Sequence, residues 1–246
     1  MTRFLPLLLL LPLLWRCGNS RSIRDYYFPI YDLQKGKVYA YVSTGTDTTE
    51  REYWYYKSFV RDSGTFLTIT KYNSQFLIEQ IIREKIVDNG VLARDYFLYQ
   101  PDTVTNTARQ IIATVEANNT FPFSVSDSMG IFLFSLRFKP LEDTSATIYL
   151  IRNRRFMGDG PDFVFQEKNY PTVQISLKEL VGNEKEGAAE IEGEGEEIFA
   201  RGLGLVSYRR SFAEGKIQYA FRLEAIFGME ELERRARKVL EETGGE

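Results

Sequence analysis

Between residues 37 and 227 the chain is a succession of short runs of Val, Ile, Thr, Tyr and Phe punctuated by Gly, Asn, Asp and Ser, and this pattern restricts the fold more than any other feature. Residues 37–44 set Val38, Ala40 and Val42 on one side and Tyr39 and Tyr41 on the other, the period of two that marks a strand. A turn at 45–48 leads into 49–61, which carries Tyr53-Trp54-Tyr55-Tyr56 and ends in the turn formers Asp62-Ser63-Gly64. Residues 65–71 alternate cleanly. Residues 76–87 fit a helical stripe as well as a strand. Their β-branched content and the hairpin signal Asn89-Gly90 favour a strand paired with 91–99. Further strands are predicted at 108–116, 131–138 and 146–156, with Asn118-Asn119-Thr120, a glycosylation acceptor by pattern, read as a turn. Gly158-Asp159-Gly160-Pro161-Asp162 is read as a turn into 163–167. Then come 172–180 and a meander of 188–201, 205–212 and 216–227.

Short connections between successive strands imply antiparallel neighbours, and several strands are apolar on both faces. The expected fold is therefore all-β: a large curved antiparallel sheet over residues 26–227, half-barrel or barrel-like, because a sheet with little helix to cover it buries its second face by curling on itself. No fixed repeat of propeller or solenoid length is visible. The period changes at 229–242, where Met229, Leu232, Ala236, Val239 and Leu240 share one helical face. Glu230/Arg234, Glu231/Arg235 and Glu233/Arg237 are spaced for i,i+4 pairs of about 0.2–0.5 kcal/mol each, and Gly244 and Gly245 end the helix. This helical segment, 228–246, either docks on the sheet or lies free, and docking is the expectation.

The N-terminal stretch fixes the compartment. Arg3 precedes an apolar run from Phe4 to Trp15, interrupted by Pro6 and Pro12, and Cys17 follows as the single cysteine. This is the layout of a secretory signal, and at about 12 residues the run is shorter than the roughly 20 that span a bilayer. Leu14, three positions before Cys17, makes the junction resemble the lipobox at which bacterial lipoprotein signals are cut and the cysteine is acylated. The resemblance implies a signal at 1–16, lipidation of Cys17, and a tether at 17–25 between the acyl group and the fold. Two other outcomes stay open: cleavage at Gly18-Asn19-Ser20, which leaves no cysteine, and retention of the segment. In each case the domain stands without disulfides.

Composition excludes whole classes of chemistry. Histidine is absent, which removes Ser/His/Asp and Cys/His nucleophilic catalysis, His-bearing zinc sites and a histidine pH switch. The net charge of −3 becomes more negative once Arg3 and Arg16 leave with the signal, so nucleic acid is not an expected partner. Catalysis by paired carboxylates passes this filter and remains an alternative. Glu190, Glu192, Glu194 and Glu196 share one face of a strand; a cation could relieve their repulsion, but a solvated outer face accounts for them better. No metal, cofactor or catalytic residue is expected. The aromatic runs Tyr53–Tyr56 and Tyr96–Tyr99 nominate Trp54, Tyr56, Phe97 and Tyr99 as ligand-stacking residues, against the plainer reading that they fill the core.

Two patches resemble envelope proteins. Ser126-Asp127-Ser128-Met129-Gly130-Ile131-Phe132-Leu133-Phe134-Ser135-Leu136-Arg137 with Pro140-Leu141 resembles a segment of periplasmic β-sheet proteins. Glu197-Ile198-Phe199-Ala200-Arg201-Gly202-Leu203-Gly204-Leu205-Val206 is similar to a glycine turn of bacterial envelope lipoproteins, with Gly202 and Gly204 permitting a tight positive-φ connection. Such proteins are similar to the Lol-type lipoprotein carriers, whose open half-barrel is closed by helices over a hydrophobic concavity. The resemblance implies a non-catalytic lipoprotein of the outer membrane or periplasm, held to the membrane by its acyl anchor, binding an apolar or amphiphilic ligand or an envelope partner. A polysaccharide-binding module and a carboxylate hydrolase are the alternatives.

Overall fold

The computed structural model describes residues 20–45, 48–102, 107–126, 130–185 and 190–243. Cys17 and the signal, together with 127–129 of the first resembling patch, Gly244 and Gly245, lie outside the described residues. The strands are β1 (Arg21–Ser22), β2 (Lys37–Ser43), β3 (Arg51–Arg61), β4 (Gly64–Tyr72), β5 (Ile78–Val87), β6 (Gly90–Asp102), β7 (Thr107–Pro122), β8 (Ser124–Val125), β9 (Ile131–Phe138), β10 (Ile148–Phe165), β11 (Lys168–Asn183), β12 (Ile191–Ala200), β13 (Gly204–Phe212) and β14 (Ile217–Phe227), followed by one helix, α1 (Met229–Thr243). The protein is all-β. Twelve strands form a closed antiparallel barrel in which β14 pairs with β2 and β9 with β10, leaving β1 and β8 as a separate two-stranded sheet.

The closed wall corrects the open half-barrel implied by the Lol resemblance, and among the described residues no helix forms a lid. α1 lies against the outer wall, where Leu232 packs on Val38, Ala40 and Tyr53 and the Arg235 guanidinium sits 4.5 Å from the Phe227 ring centre. Towards the end of its apolar stripe Leu240 is 69% exposed. Arg234 and Arg235 both donate to Glu231, so the first expected i,i+4 pair gives way to an i,i+3 pair at 2.7 Å.

The floor of the barrel is the segment between β1 and β2, where the sequence suggested a tether ending at residue 25 and the β domain beginning at residue 26. Instead the chain enters the fold at Arg21: β1 pairs with β8, the Ile23 amide donates to the Phe123 carbonyl at 2.9 Å, and Ile23 is fully buried. Two 3-10 turns, Arg24–Tyr26 and Ile30–Leu33, then fold Tyr27, Phe28 and Leu33 into the barrel end as a plug. Phe28 meets Tyr56 at 4.2 Å between ring centres, and Tyr27 meets Phe121 at 5.3 Å. The plug stretch is rich in apolar residues, but they follow neither a period of two nor one of 3.6, so the sequence does not show where they pack.

Three turn assignments move. Gly158-Asp159-Gly160-Pro161-Asp162 runs inside β10, where register shifts on either side of Gly158–Gly160 absorb Pro161, which has no N–H to give the ladder. The reversal comes later, at Gln166 and Glu167, both at positive φ. Asn118-Asn119-Thr120 lies within β7, likewise beside register shifts. The β5–β6 loop is Asp88-Asn89, with Gly90 already paired to Val87; a Cβ there would stand 2.7 Å from the Phe121 carbonyl oxygen, so the glycine serves close approach.

Candidate functional site

Alternation along a barrel strand sends every second residue inward. Over the half of the interior away from the plug, the inward positions carry Glu52 and Trp54 on β3, Lys71 on β4, Glu84 on β5, Arg152 and Arg154 on β10, Glu197 on β12, and Tyr208 and Arg210 on β13. Together they line a cavity of about 460 Å³. It reaches solvent where Glu50 and Tyr219, both exposed, form part of its lining.

Charges taken out of water survive only when paired. Glu197 accepts from Arg154 Nε at 2.9 Å, from Arg154 Nη2 at 3.2 Å and from Arg210 Nη2 at 2.6 Å. Burial opposes the charge of Glu197, but the two guanidiniums hold its carboxyl down at about 2. Glu179 is held below its ordinary range in the same way, against burial, by Arg152 and by Arg210 Nε at 3.2 Å. Nearer the mouth, Lys71 Nζ lies 2.6 Å from Glu52 and 3.0 Å from Glu79; burial works against its charge, and the two carboxylates more than restore it. Glu52 also accepts from Trp54 Nε1 at 3.2 Å and from the Tyr208 hydroxyl. At the inner end Glu84 accepts a 2.5 Å hydrogen bond from the Tyr27 hydroxyl, and burial pushes its carboxyl above the ordinary range despite that bond.

The four aromatic residues nominated from sequence divide between two faces. Trp54 and Tyr56 line the cavity, with ring planes 14° apart. Phe97 and Tyr99 point out of the barrel, because Tyr96 pairs with Ile82 on the inner face and so turns Phe97, opposite Ile81, outward. Arg83 covers Phe97 from outside at 5.6 Å. Phe97 and Tyr99 therefore lie outside the cavity; the neighbour that lines it is Tyr96, whose hydroxyl donates to Gln80 Oε1 at 2.7 Å. Gly202 and Gly204 stand at the β12–β13 connection with φ of +76° and +91°, and a Cβ on Gly204 would lie 2.3 Å from the Phe28 ring. Their loop also anchors the plug, since the Gly202 amide donates to the Asp25 carbonyl at 2.8 Å. Glu190, Glu192 and Glu194 are exposed, and Glu196 pairs with Arg209 at 3.3 Å. Among the described residues no three His, Cys, Asp or Glu side chains converge to hold a metal ion.

Sequence reasoning missed the ionic residues of the interior: Glu84, Arg152, Arg154, Glu179, Glu197 and Arg210. A signal was present. Arg152 and Arg154 share strand parity with Leu150 and Phe156, so an apolar face of β10 carries two cations at its centre.

No protein-family model and no curated protein matches the chain. Among solved structures, a candidate exported protein with a YmcC-like fold from Bacteroides fragilis aligns with a TM-score of 0.49 at 12% identity, over 78% of this chain and 95% of that one. A candidate lipoprotein from Parabacteroides distasonis aligns with a TM-score of 0.51 at 13% identity, over 82% of this chain and 97% of that one. At that identity the shared property is the fold: the chain is built on the same barrel as the Parabacteroides protein.

Proposed function

We propose that the protein is an exported lipoprotein of the bacterial envelope, in the outer membrane or periplasm, anchored through an acylated Cys17 and binding a small amphiphilic ligand inside its barrel without catalysis. The observation that carries the binding half is the cavity itself, shut at one end by the plug, open at the other, and lined by aromatic rings and ions together. The ionic lining moves the ligand away from the purely apolar class, since an acyl chain would strip water from Lys71 and Arg152 and return no hydrogen bond. A sugar, with a flat CH face and polar edges, falls within the same description. Binding is favoured over carboxylate hydrolysis because Glu52, Glu179 and Glu197 are each tied to cations.

The anchor half is supported by the signal and lipobox at residues 1–17, and the Parabacteroides structure that shares the fold is itself a candidate lipoprotein. The outer wall suits water more than lipid: Arg83, Lys85, Lys178 and Arg209 stand on outward positions of β5, β11 and β13, where a membrane barrel carries an apolar band. Cys17→Ala is expected to abolish fatty-acid labelling and move the protein from the membrane to the soluble fraction; unchanged fractionation would remove the anchor from this reading. Cleavage before Cys17 also removes Trp15 and leaves Trp54 as the single tryptophan. Native mass spectrometry of gently extracted protein is expected to show a bound small molecule, and its removal to change Trp54 emission. A protein that carries no extra mass and whose Trp54 responds to no added lipid or sugar would rule out the binding function.

A further inference from the structure

One buried group in the cavity has no protein partner. Arg154 is 9% exposed; its Nε and Nη2 are committed to Glu197, while Nη1 is buried and has no acceptor. A guanidinium N–H removed from water without an acceptor is expensive, and native proteins rarely leave one so. The neighbouring carboxylates do not supply the acceptor. Glu197 already holds Arg210 and the other two Arg154 nitrogens, and Glu84 accepts from Tyr27 in surroundings that favour its neutral acid. Lys71, Arg152, Arg154 and Arg210 face Glu52, Glu79, Glu179 and Glu197, and each of these four carboxylates is already paired, so none is left over for Nη1.

We infer that the cavity takes an anionic ligand whose carboxylate or phosphate group accepts from Arg154 Nη1, with the rest of the molecule running past Trp54 and Tyr208 to the mouth at Glu50 and Tyr219. The inference rests on the proposed binding function and adds the sign and chemistry of the group that enters first. A guanidinium donor is suited to either anion, since both present oxygens in matching geometry. The anion can belong to a sugar acid or to a lipid headgroup, and matched probes separate these sources.

The test titrates the mature protein with glucuronate against glucose, and octyl phosphate against octyl glucoside, following Trp54 fluorescence. Each anion is expected to bind about tenfold or more tightly than its neutral partner, the factor one charge-assisted hydrogen bond carries. Tighter binding of glucuronate than of octyl phosphate assigns the sugar-acid source, and the reverse assigns the headgroup. Arg154→Lys keeps the charge but loses the fork, and is expected to erase most of the difference. Should that variant fail to fold, the paired titrations of the unaltered protein still decide. Neutral and anionic probes binding alike would overturn the anion while leaving the binding function standing. Silence from all four probes, in a protein that nonetheless carries a neutral bound mass, would also overturn it; silence with no bound mass would end both proposals.

Discussion

Glu197→Gln is expected to destabilise the folded protein by about 3–5 kcal/mol, the usual cost of removing one member of a buried ion pair. Glutamine keeps the size of the side chain and an oxygen that accepts, so the loss isolates the charge. What remains is Arg154, 9% exposed, without its counter-ion, and Arg210, 7% exposed, with Glu179 alone. Chemical denaturation of the mature protein measures the effect directly, and the thermal midpoint is expected to fall by on the order of 10 °C for a domain of this length. A loss below about 1 kcal/mol, the value of an exposed pair, would mean that the interior network is solvated in solution. The same residue sets a pH dependence. Its folded-state carboxyl titrates at about 2, below the ordinary 4.5, so its contribution is complete above pH 4.5 and is lost as pH falls toward 2. Acid unfolding between those limits is therefore expected to be steep in the native protein and shallower in Glu197→Gln.

Phe28→Ala is expected to cost a similar amount, about 3–5 kcal/mol, by a different route. The Phe28 ring is 7% exposed and stands at the centre of the plug, 4.2 Å from Tyr56, 5.2 Å from Tyr27 and 5.9 Å from Tyr39 between centroids. Gly204 has no side chain and lets the ring lie against the β12–β13 connection. Removing the ring leaves a void between stiff barrel walls that cannot collapse into it, so transfer and cavity terms both count. Because the plug also forms the floor of the cavity, Phe28→Ala is expected to raise acrylamide quenching of Trp54 at temperatures where the barrel is intact. Loss of stability without that change would place the cavity floor elsewhere.

These two residues mark the boundary of what the sequence discloses. β2 and β4 were legible because alternation and β-branched content agree, and α1 because the period shifts at Met229. Glu197 falls by parity on the face opposite Glu190, Glu192, Glu194 and Glu196, but nothing in the sequence marks it as a buried charge; its pairing with Tyr208 and Ile175 places it inward, between Arg154 and Arg210. The division of Trp54 and Tyr56 from Phe97 and Tyr99 has the same origin. Face assignment is a matter of register, and the shift between Arg83 and Glu84 against β6 resets it without any local mark in composition. Phe28 belongs to a segment with no period, so its burial is a property of the closed barrel and not of its own neighbours in sequence.

For the export proposed above, which proceeds N-terminus first, the plug would impose an order of events. Ile23, Tyr27 and Phe28 belong to the earliest part of the fold to emerge, yet they settle on β2, β7 and β13, and β13 comes near the end of the chain. Contacts so distant in sequence form late. In that reading the segment beside the proposed cleavage point is the first to arrive and among the last to be fixed, so the barrel would place no hold on it while a processing enzyme reached it.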